Sequence, residues 1–400
     1  MVEVRRPKCS LCSKEAVVTL PYAKLRLCKD HFEEFLIKRV KRIKLPKRIL
    51  VATSGGKDSL TMIYLLSKLK ERGEIEDLKS VTVDTVPKYT TLEAKVSAKY
   101  SQELGIEHVT VHAFDVYGFT ALHYRELKRK PCGLCSLIRN HAINLVGTRL
   151  GYRYVSTGHN LDDMLQVGLT SLLSSDIENL RKITAIEEPL PGALGRVKPL
   201  FWIYERDVLA FAINKRLEWI KERCPLYDVG ILFADRIRNF MHEIEVEHPS
   251  IKLRTLRNLQ RLGESIKLEK DLESIKRCKY CGSISYGDIC PACHLRRKAR
   301  ELGLRIAELE PTIDYLSKDG NIPIIGQGFV TWSFVEANRW ITVDKLLKKL
   351  GLNREVAVVM ERDSHTTIPY DAYVRGFEKG ELVIYLITRV SLNRKVAKLR

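Results

Sequence analysis

Ten cysteines stand in three sets: Cys9, Cys12 and Cys28 near the start, Cys132, Cys135 and a distant Cys224 in the middle, and Cys278, Cys281, Cys290 and Cys293 further on. Thiols in a reducing compartment bind metal more readily than they pair. The last set, Cys278-x2-Cys281-x8-Cys290-x2-Cys293, supplies two knuckles and four sulfurs, a closed tetrahedral zinc set. The first, Cys9-x2-Cys12-x15-Cys28-x2-His31, supplies three sulfurs and one imidazole and is closed too. The middle set is one ligand short. Three thiolates leave a coordination position open, which suits a [4Fe-4S] cluster with one iron able to take a sulfur atom. A redox pair, one cysteine persulfidated and a second resolving it, is the competing chemistry. A structural zinc completed by a histidine such as His141 is the third reading.

Ser54-Gly55-Gly56-Lys57-Asp58-Ser59 lies between an apolar run and a helix start. Unpaired backbone N–H groups and the helix dipole favour a phosphate there. The glycines let backbone approach the anion, Lys57 offers a positive charge, and Ser54 and Ser59 offer hydroxyls. The order is not the Walker pattern. It resembles the PP-loop of ATP pyrophosphatases, and the resemblance implies cleavage of ATP to AMP and pyrophosphate while a carbonyl oxygen is activated.

Gly158-His159-Asn160-Leu161-Asp162-Asp163 resembles the second signature of that superfamily. Two adjacent carboxylates near a triphosphate suggest a Mg2+ ligand or a proton acceptor. The resemblance implies that Asp163 is the catalytic aspartate, with Asp162 in reserve. Gly158, His159 and Asp84, the last at the end of VTVD, are assigned with the loop to ATP.

These groups need a scaffold. Strands at Ile49 to Ala52, Val81 to Thr85, HVTVHAF and YRYVST alternate with helices, including one from Thr90 to Leu104, which predicts a mostly parallel sheet covered on both faces. Residues 186–199 read as a Pro/Gly-rich loop, and Lys252 to Lys276 as a charged amphipathic helix leading to the last cysteines. Beyond Leu302 a strand, helix, strand and strand make a small α+β module of its own. The expected domains are an N-terminal zinc finger (1–46), a catalytic domain (47–250), a helix with a zinc ribbon (251–300) and a C-terminal domain (301–400).

Composition agrees with a multidomain globular protein: 400 residues, 45% hydrophobic. No run of eighteen apolar residues exists, and MVEVRRPKCSLC lacks the apolar stretch of a signal peptide, so no membrane and a cytoplasmic location are expected. Sixty-eight Lys+Arg against 49 Asp+Glu leave a net charge of +19, which points to a polyanionic partner. Basic runs Lys38 to Arg48 and His294 to Arg300 adjoin two of the cysteine sets.

PP-loop, CGLC followed by Arg139, GHNLDD, and ERCPLY ahead of EHPS together resemble the TtuA family of tRNA 2-thiouridine synthetases, over roughly residues 5–296. The resemblance implies an α/β PP-loop domain, of the adenine nucleotide alpha hydrolase-like fold class, flanked by two zinc modules. It implies a [4Fe-4S] cluster on Cys132, Cys135 and Cys224, two Zn2+, ATP and Mg2+ as cofactors, and catalytic roles for Lys57 and Arg139. Family members often carry lysine where Arg139 stands, and arginine cannot lose a proton, so no acid-base role is assigned to it. The implied reaction is adenylation of a tRNA uridine followed by sulfur transfer. KPCGLCSLIRN and CPLY with EHPS look more like the branch acting on T-loop uridine 54 than the one acting on wobble uridine 34. A non-catalytic basic zinc scaffold for RNA is the rival from another class.

The expected partners are tRNA and a ubiquitin-like thiocarboxylated sulfur carrier protein, with a homodimer left open. The tail, from ITVDKLLKKLGL to VSLNR, resembles the β-grasp sulfur carriers themselves. Those end in Gly-Gly, and VSLNRKVAKLR does not, so the tail is expected to mimic, recruit or regulate a carrier rather than to be one.

Overall fold

The computed structural model describes residues 3–174, 176–222, 224–226, 233–266, 275–304, 314–315, 322–326, 329–333, 335, 340–377 and 380–387. The N-terminal module holds strands β1 (Glu3–Arg5), β2 (Val18–Leu20) and β3 (Leu25–Leu27) and helix α1 (Lys29–Val40). The catalytic domain follows as β4 (Arg48–Ala52), α2 (Lys57–Glu71), β5 (Asp77–Asp84), α3 (Tyr89–Glu103), β6 (Glu107–His112), α4 (Ala113–Tyr117), α5 (Pro131–Arg149), β7 (Tyr154–Ser156), α6 (Leu161–Leu173), β8 (Ile186–Glu187), β9 (Gly195–Val197), α7 (Glu205–Asn214), α8 (Phe233–Glu247) and α9 (Ile251–Ser265).

Its sheet runs β6-β5-β4-β7-β9-β8, parallel except for the β8 and β9 pair at the edge. Ile49, Leu50 and Val51 are fully buried because helices cover both faces, and each contributes about 1.5–3 kcal/mol of apolar burial. The chain moves outward from β4 through β5 to β6, then returns to the other side of β4 as β7. Between β4 and β7 lies the switch point where open α/β sheets bind ligands. The phosphate loop leaves β4 and GHNLDD leaves β7, so both motifs meet there.

Three expectations are corrected. Residues 186–199 are not merely a loop, because β8 and β9 extend the sheet. The helix from Lys252 stops at Ser265, and Lys276 begins a strand; residues 267–274 of that stretch lie outside the described residues. A boundary at residue 250 would also divide one core, since Leu253, Leu256 and Leu259 of α9 pack on Leu161, Met164 and Leu165 of α6. The amphipathic period of α9 was visible, but not the helix it packs against.

The ribbon comprises β10 (Lys276–Arg277), β11 (Ile284–Ser285) and α10 (Pro291–Glu301). After it come β12 (Asp314–Tyr315), β13 (Ile322–Gly326), β14 (Phe329–Ser333), β15 (Ile341–Thr342), α11 (Val343–Lys349), β16 (Ala357–Glu361), β17 (Thr366–Ile368), β18 (Tyr373–Arg375) and β19 (Leu382–Leu386). A mixed sheet has the order β12-β14-β13-β19-β16-β17, with β13 and β19 parallel at its centre. The VSLNRKVAKLR end lies outside the described residues.

This C-terminal domain is not a module of its own. Strand β1, from the opposite end of the chain, pairs antiparallel with β18, and Arg5 and Arg375 stack on Trp340 at 4.4 and 4.7 Å. Asp371 accepts hydrogen bonds from Thr19 Oγ1 and Arg26 Nε, both at 2.7 Å, while Thr367 Oγ1 donates to the Val17 carbonyl at 2.7 Å. One apolar core runs from Leu20 and Phe32 through Phe211 to Val359 and Ile384. Strands as short as β1 carry no readable periodicity, which is why this closure was not visible beforehand.

Candidate active site

The phosphate loop is a tight turn braced by its own serines. The Ser54 N–H donates to Ser59 Oγ at 3.1 Å, and that hydroxyl donates to the Gly56 carbonyl at 3.0 Å. Gly55 has φ +64°, and a Cβ there would come within 3.0 Å of the Glu93 carbonyl oxygen, so both conformation and space require glycine. Gly56 caps α2 without a side-chain hydrogen bond. The first N–H groups of this fifteen-residue helix can therefore receive an anion. Gly158 packs against the same turn, where a Cβ would lie 3.1 Å from the Ser59 nitrogen.

Lys57 is buried, its ammonium 2.8 Å from Asp58 and 3.0 Å from Glu205. Burial works against its charge, but the two carboxylates outweigh it and hold the amine above the ordinary lysine range. Burial together with Glu205 and Asp163 raises the Asp58 carboxyl in spite of Lys57. Asp58 also accepts from Asn160 Nδ2 at 3.0 Å, which ties the two motifs together.

Asn160 and Asp163 form a capping box at the start of α6: the Asp163 N–H donates to Asn160 Oδ1 at 3.1 Å and the Asn160 N–H to Asp163 Oδ2 at 3.2 Å. Asp163 is half-buried and paired with Arg238, whose guanidinium also grips Glu205 and Gln166. Burial alone would raise the Asp163 carboxyl, but Arg238 and His159 keep it below its usual range. Asp162 is different. It is 3% exposed, accepts the Glu205 N–H at 2.7 Å, and lies 2.8 Å from the Lys252 ammonium. Lys252 and its cationic neighbours outweigh burial and hold the Asp162 carboxyl well below the usual carboxylate range. Both its oxygens are engaged inside the protein, so of the two adjacent aspartates only Asp163 has access to a substrate. Asp84 is also engaged internally, accepting from Thr90 and from Thr91 Oγ1 (2.7 Å) at the start of α3. The exposed His159 lies 2.8 Å from Thr157 Oγ1.

Cys132 and Cys135 lie about one turn apart at the start of α5, with Arg139 one turn further along the same face. Cys132 is exposed, whereas Cys135 and Cys224 rest against Val86, Tyr89, Ala121 and Leu122. Burial pushes the Cys224 thiol up. Arg139 pairs with Glu93 at 2.8 Å and feels the charges of Cys135 and Cys224. Glu93 is thus shared: its backbone supports Gly55 and its carboxylate holds Arg139.

Among the described residues, two groups of donors converge to within 4.8 Å, and Cys132, Cys135 and Cys224 are not one of them. A single ion needs convergence. Three thiol donors are the ligand chemistry of an iron-sulfur cluster, and they are not gathered as one zinc would need.

The zinc reading that used His141 is excluded by where that imidazole lies: 3.3 Å from Cys281 Sγ and 3.6 Å from Cys290 Sγ, with Nδ1 2.8 Å from Tyr117 Oη. His141 is held neutral by burial, down to about 4. The convergent groups are Cys9, Cys12, Cys28 and His31, and, where the four ribbon cysteines were expected together, His141 with Cys281, Cys290 and Cys293. Cys278 adjoins the second group, accepting the Cys290 N–H at 3.3 Å. Backbone N–H groups outweigh burial and lower Cys9 and Cys278 to about 6, which readies both for a metal.

Beside this ribbon a groove of about 790 Å³ opens between α5 and the 189–194 segment, lined by Arg149, Arg153, Arg277, Tyr280 and Arg296. Glu93, Glu205, Arg238 and Lys252 escaped notice in the sequence because each is a lone charged residue without a motif. No described helix is long and apolar enough to cross a membrane.

Comparison with known proteins agrees with this geometry. Residues 8–33 match the model of the N-terminal LIM domain of the 2-thiouridine synthetase TtuA, and residues 28–228 match the PP-loop domain. A tRNA-5-methyluridine(54) 2-sulfurtransferase of Pyrococcus horikoshii is 30% identical over 310 residues, 76% of this chain and 98% of its own. Cytoplasmic tRNA 2-thiolation protein 1 of Caenorhabditis elegans is 28% identical over 80% of this chain and 91% of its own. Among solved structures, the U34-tRNA thiolase NcsA from Methanococcus maripaludis, with its [4Fe-4S] cluster, aligns with a TM-score of 0.62 and 26% identity, covering 76% of this chain and 99% of that one.

Proposed function

The chain belongs to the TtuA family of 2-thiouridine synthetases, and we propose that it replaces the 2-oxygen of uridine 54 in tRNA with sulfur. The observation that carries this reading is the shared Glu93, which puts the phosphate loop and the thiol-bearing helix side by side. ATP binds with its phosphates on the N-terminus of α2. Lys57 shifts from its carboxylate partners toward the pyrophosphate leaving group, and Asp58 and Asp163 are the carboxylates placed to hold Mg2+. The uridine 2-oxygen attacks the α-phosphorus and pyrophosphate leaves. A sulfur nucleophile then attacks carbon 2, and AMP departs with the original oxygen.

Cys132, Cys135 and Cys224 would hold a [4Fe-4S] cluster, which when bound supplies an iron open to sulfur. Arg139 keeps a fixed positive charge beside those thiols, anchored by Glu93, and acts by electrostatics rather than proton transfer. Two Zn2+ belong at Cys9, Cys12, Cys28 and His31, and at the four ribbon cysteines with His141 as neighbour. The groove of Arg149, Arg153, Arg277 and Arg296, with the exposed Tyr280, suits a phosphate backbone and stacking bases, and so the tRNA.

A thiocarboxylated carrier protein is the proposed sulfur donor, the cytoplasm the proposed location, and a homodimer the proposed assembly. The C-terminal domain reads as β-grasp: the β13–β14 hairpin, helix α11, the β16–β17 hairpin and closing strand β19, with β13 and β19 parallel at the centre. Position 34 is the second reading, favoured by the likeness to NcsA. The test is an anaerobic assay with ATP, tRNA and sulfide. Release of AMP and pyrophosphate together with 2-thiouridine supports the proposal, and tRNA binding without AMP release contradicts it.

A further inference from the structure

The catalytic lysine is linked to the C-terminal domain through buried charges. Glu355, in the turn before β16, is 3% exposed and projects into the catalytic domain. One carboxylate oxygen lies 3.3 Å from Arg206 and the other 3.7 Å from the Lys252 ammonium. Lys252 is 1% exposed. Its ammonium has Asp162 at 2.8 Å and donates to His242 Nδ1 at 2.7 Å, an imidazole that burial keeps neutral. Asp162 in turn accepts the N–H of Glu205, the first residue of α7, at 2.7 Å. The Glu205 side chain then holds Lys57 at 3.0 Å and grips Arg238, the partner of Asp163.

We propose that Glu355 is a positioning residue for the nucleotide site, so that the C-terminal domain sets where Lys57 and Asp163 stand. The inference rests on the reading that residues 54–59 bind ATP. Each contact in the series is buried, where charges are weakly screened and an unpaired one is costly. Lys252 lies between two anions, Glu355 and Asp162. With the first neutralised, it is drawn wholly to the second, and among the described residues Arg206 keeps Asp207 (3.4 Å) as its ionic partner. The position of Asp162 decides the position of the α7 N-terminus, and that end of α7 carries the carboxylate holding Lys57. The ion pairs outside this series are of another kind: Arg6 with Glu361 and Arg26 with Asp371 tie the domain to the N-terminal module and do not lead to the loop.

The experiment compares full-length wild type, Glu355→Gln, Glu355→Asp and Arg354→Ala in tRNA-stimulated pyrophosphate release. Arg354 belongs to the same turn but donates to the Val246 carbonyl, outside the series. Glu355→Gln is expected to raise KM for ATP or lower kcat about tenfold while KM for tRNA and zinc content stay unchanged. Glu355→Asp should recover part of the loss, and Arg354→Ala should match wild type. If Glu355→Gln does not fold, Glu355→Asp serves alone, with a several-fold rise in KM for ATP expected. ATP parameters unchanged in folded Glu355 variants overturn the proposal while leaving the ATP reading intact. Wild type that releases no pyrophosphate overturns the reading and this proposal with it.

Discussion

Arg139 and Glu93 form an ion pair at 2.8 Å, and through it α5, which bears Cys132 and Cys135, is joined to α3, which supports Gly55 of the phosphate loop. On the proposed reading, ATP activation and sulfur handling share one structural element. Glu93→Gln should leave ATP binding within a few-fold of wild type and lower the yield of thiolated tRNA about tenfold or more, since a charge-assisted pair is worth ~1.5–3 kcal/mol. Arg139→Lys keeps the charge but loses the planar fork, and an intermediate effect is expected. Nucleoside analysis beside an ATP-binding titration separates the two steps.

Lys57→Ala should reduce pyrophosphate release by about 10²–10³-fold, the scale for loss of one preorganised charge at a developing anion. Zinc content should remain that of wild type. The loss of the lysine leaves Glu205 with Arg238 as partner, so the fold should survive. Metal analysis of the purified variant checks this directly.

The pH dependence of stability follows from two oppositely shifted groups. The Asp162 carboxyl is depressed in the folded state, so its contribution is present above the unfolded value of about 3.9 and is lost as pH falls through the lower folded value. The Lys57 amine is raised, so its contribution is present below about 10.4 and is lost as pH climbs through the higher folded value. Between those limits the profile should slope on its acid side, because buried His242 stays neutral while the unfolded imidazole takes a proton below about 6.5. Asp162→Asn should cost about 3–5 kcal/mol, because it leaves Lys252 short of a buried counter-charge, and should remove part of the acid limb. Thermal midpoints from pH 3 to 10, buffer by buffer, test the shape.

Zinc removal should reach further than the N-terminal module. Cys9, Cys12, Cys28 and His31 converge beside β2 and β3, and Asp371, just before β18, binds Thr19 and Arg26 of those strands. Cys28→Ser is expected to lower zinc by one per chain and to speed amide exchange at residues 373–375, where β1 pairs with β18. Unchanged exchange there would detach the module from the C-terminal domain energetically.

The motifs were legible because their chemistry is local. A glycine turn between a buried strand and a helix, or two CxxC knuckles, can be read without knowing the neighbours. Partners distant in sequence could not be. His141 was weighed as a ligand for the middle cysteines, yet it projects toward Cys281, because α5 carries the ribbon on the side away from Arg139. Asp162 and Asp163 look equivalent in sequence, and only the helical turn between them decides that one meets Lys252 and the other Arg238. Glu355 lies in a stretch with no motif. Its meaning appears only when the tail folds back on α7.

The central claim is tested most directly by mapping 2-thiouridine in tRNA treated with anaerobically purified protein, ATP and sulfide, with iron measured in the same preparation. Brown protein, sulfur at position 54, and loss of both iron and product in Cys135→Ser are the expected results. Thiolation at position 34, or full activity in colourless protein without iron, would contradict it.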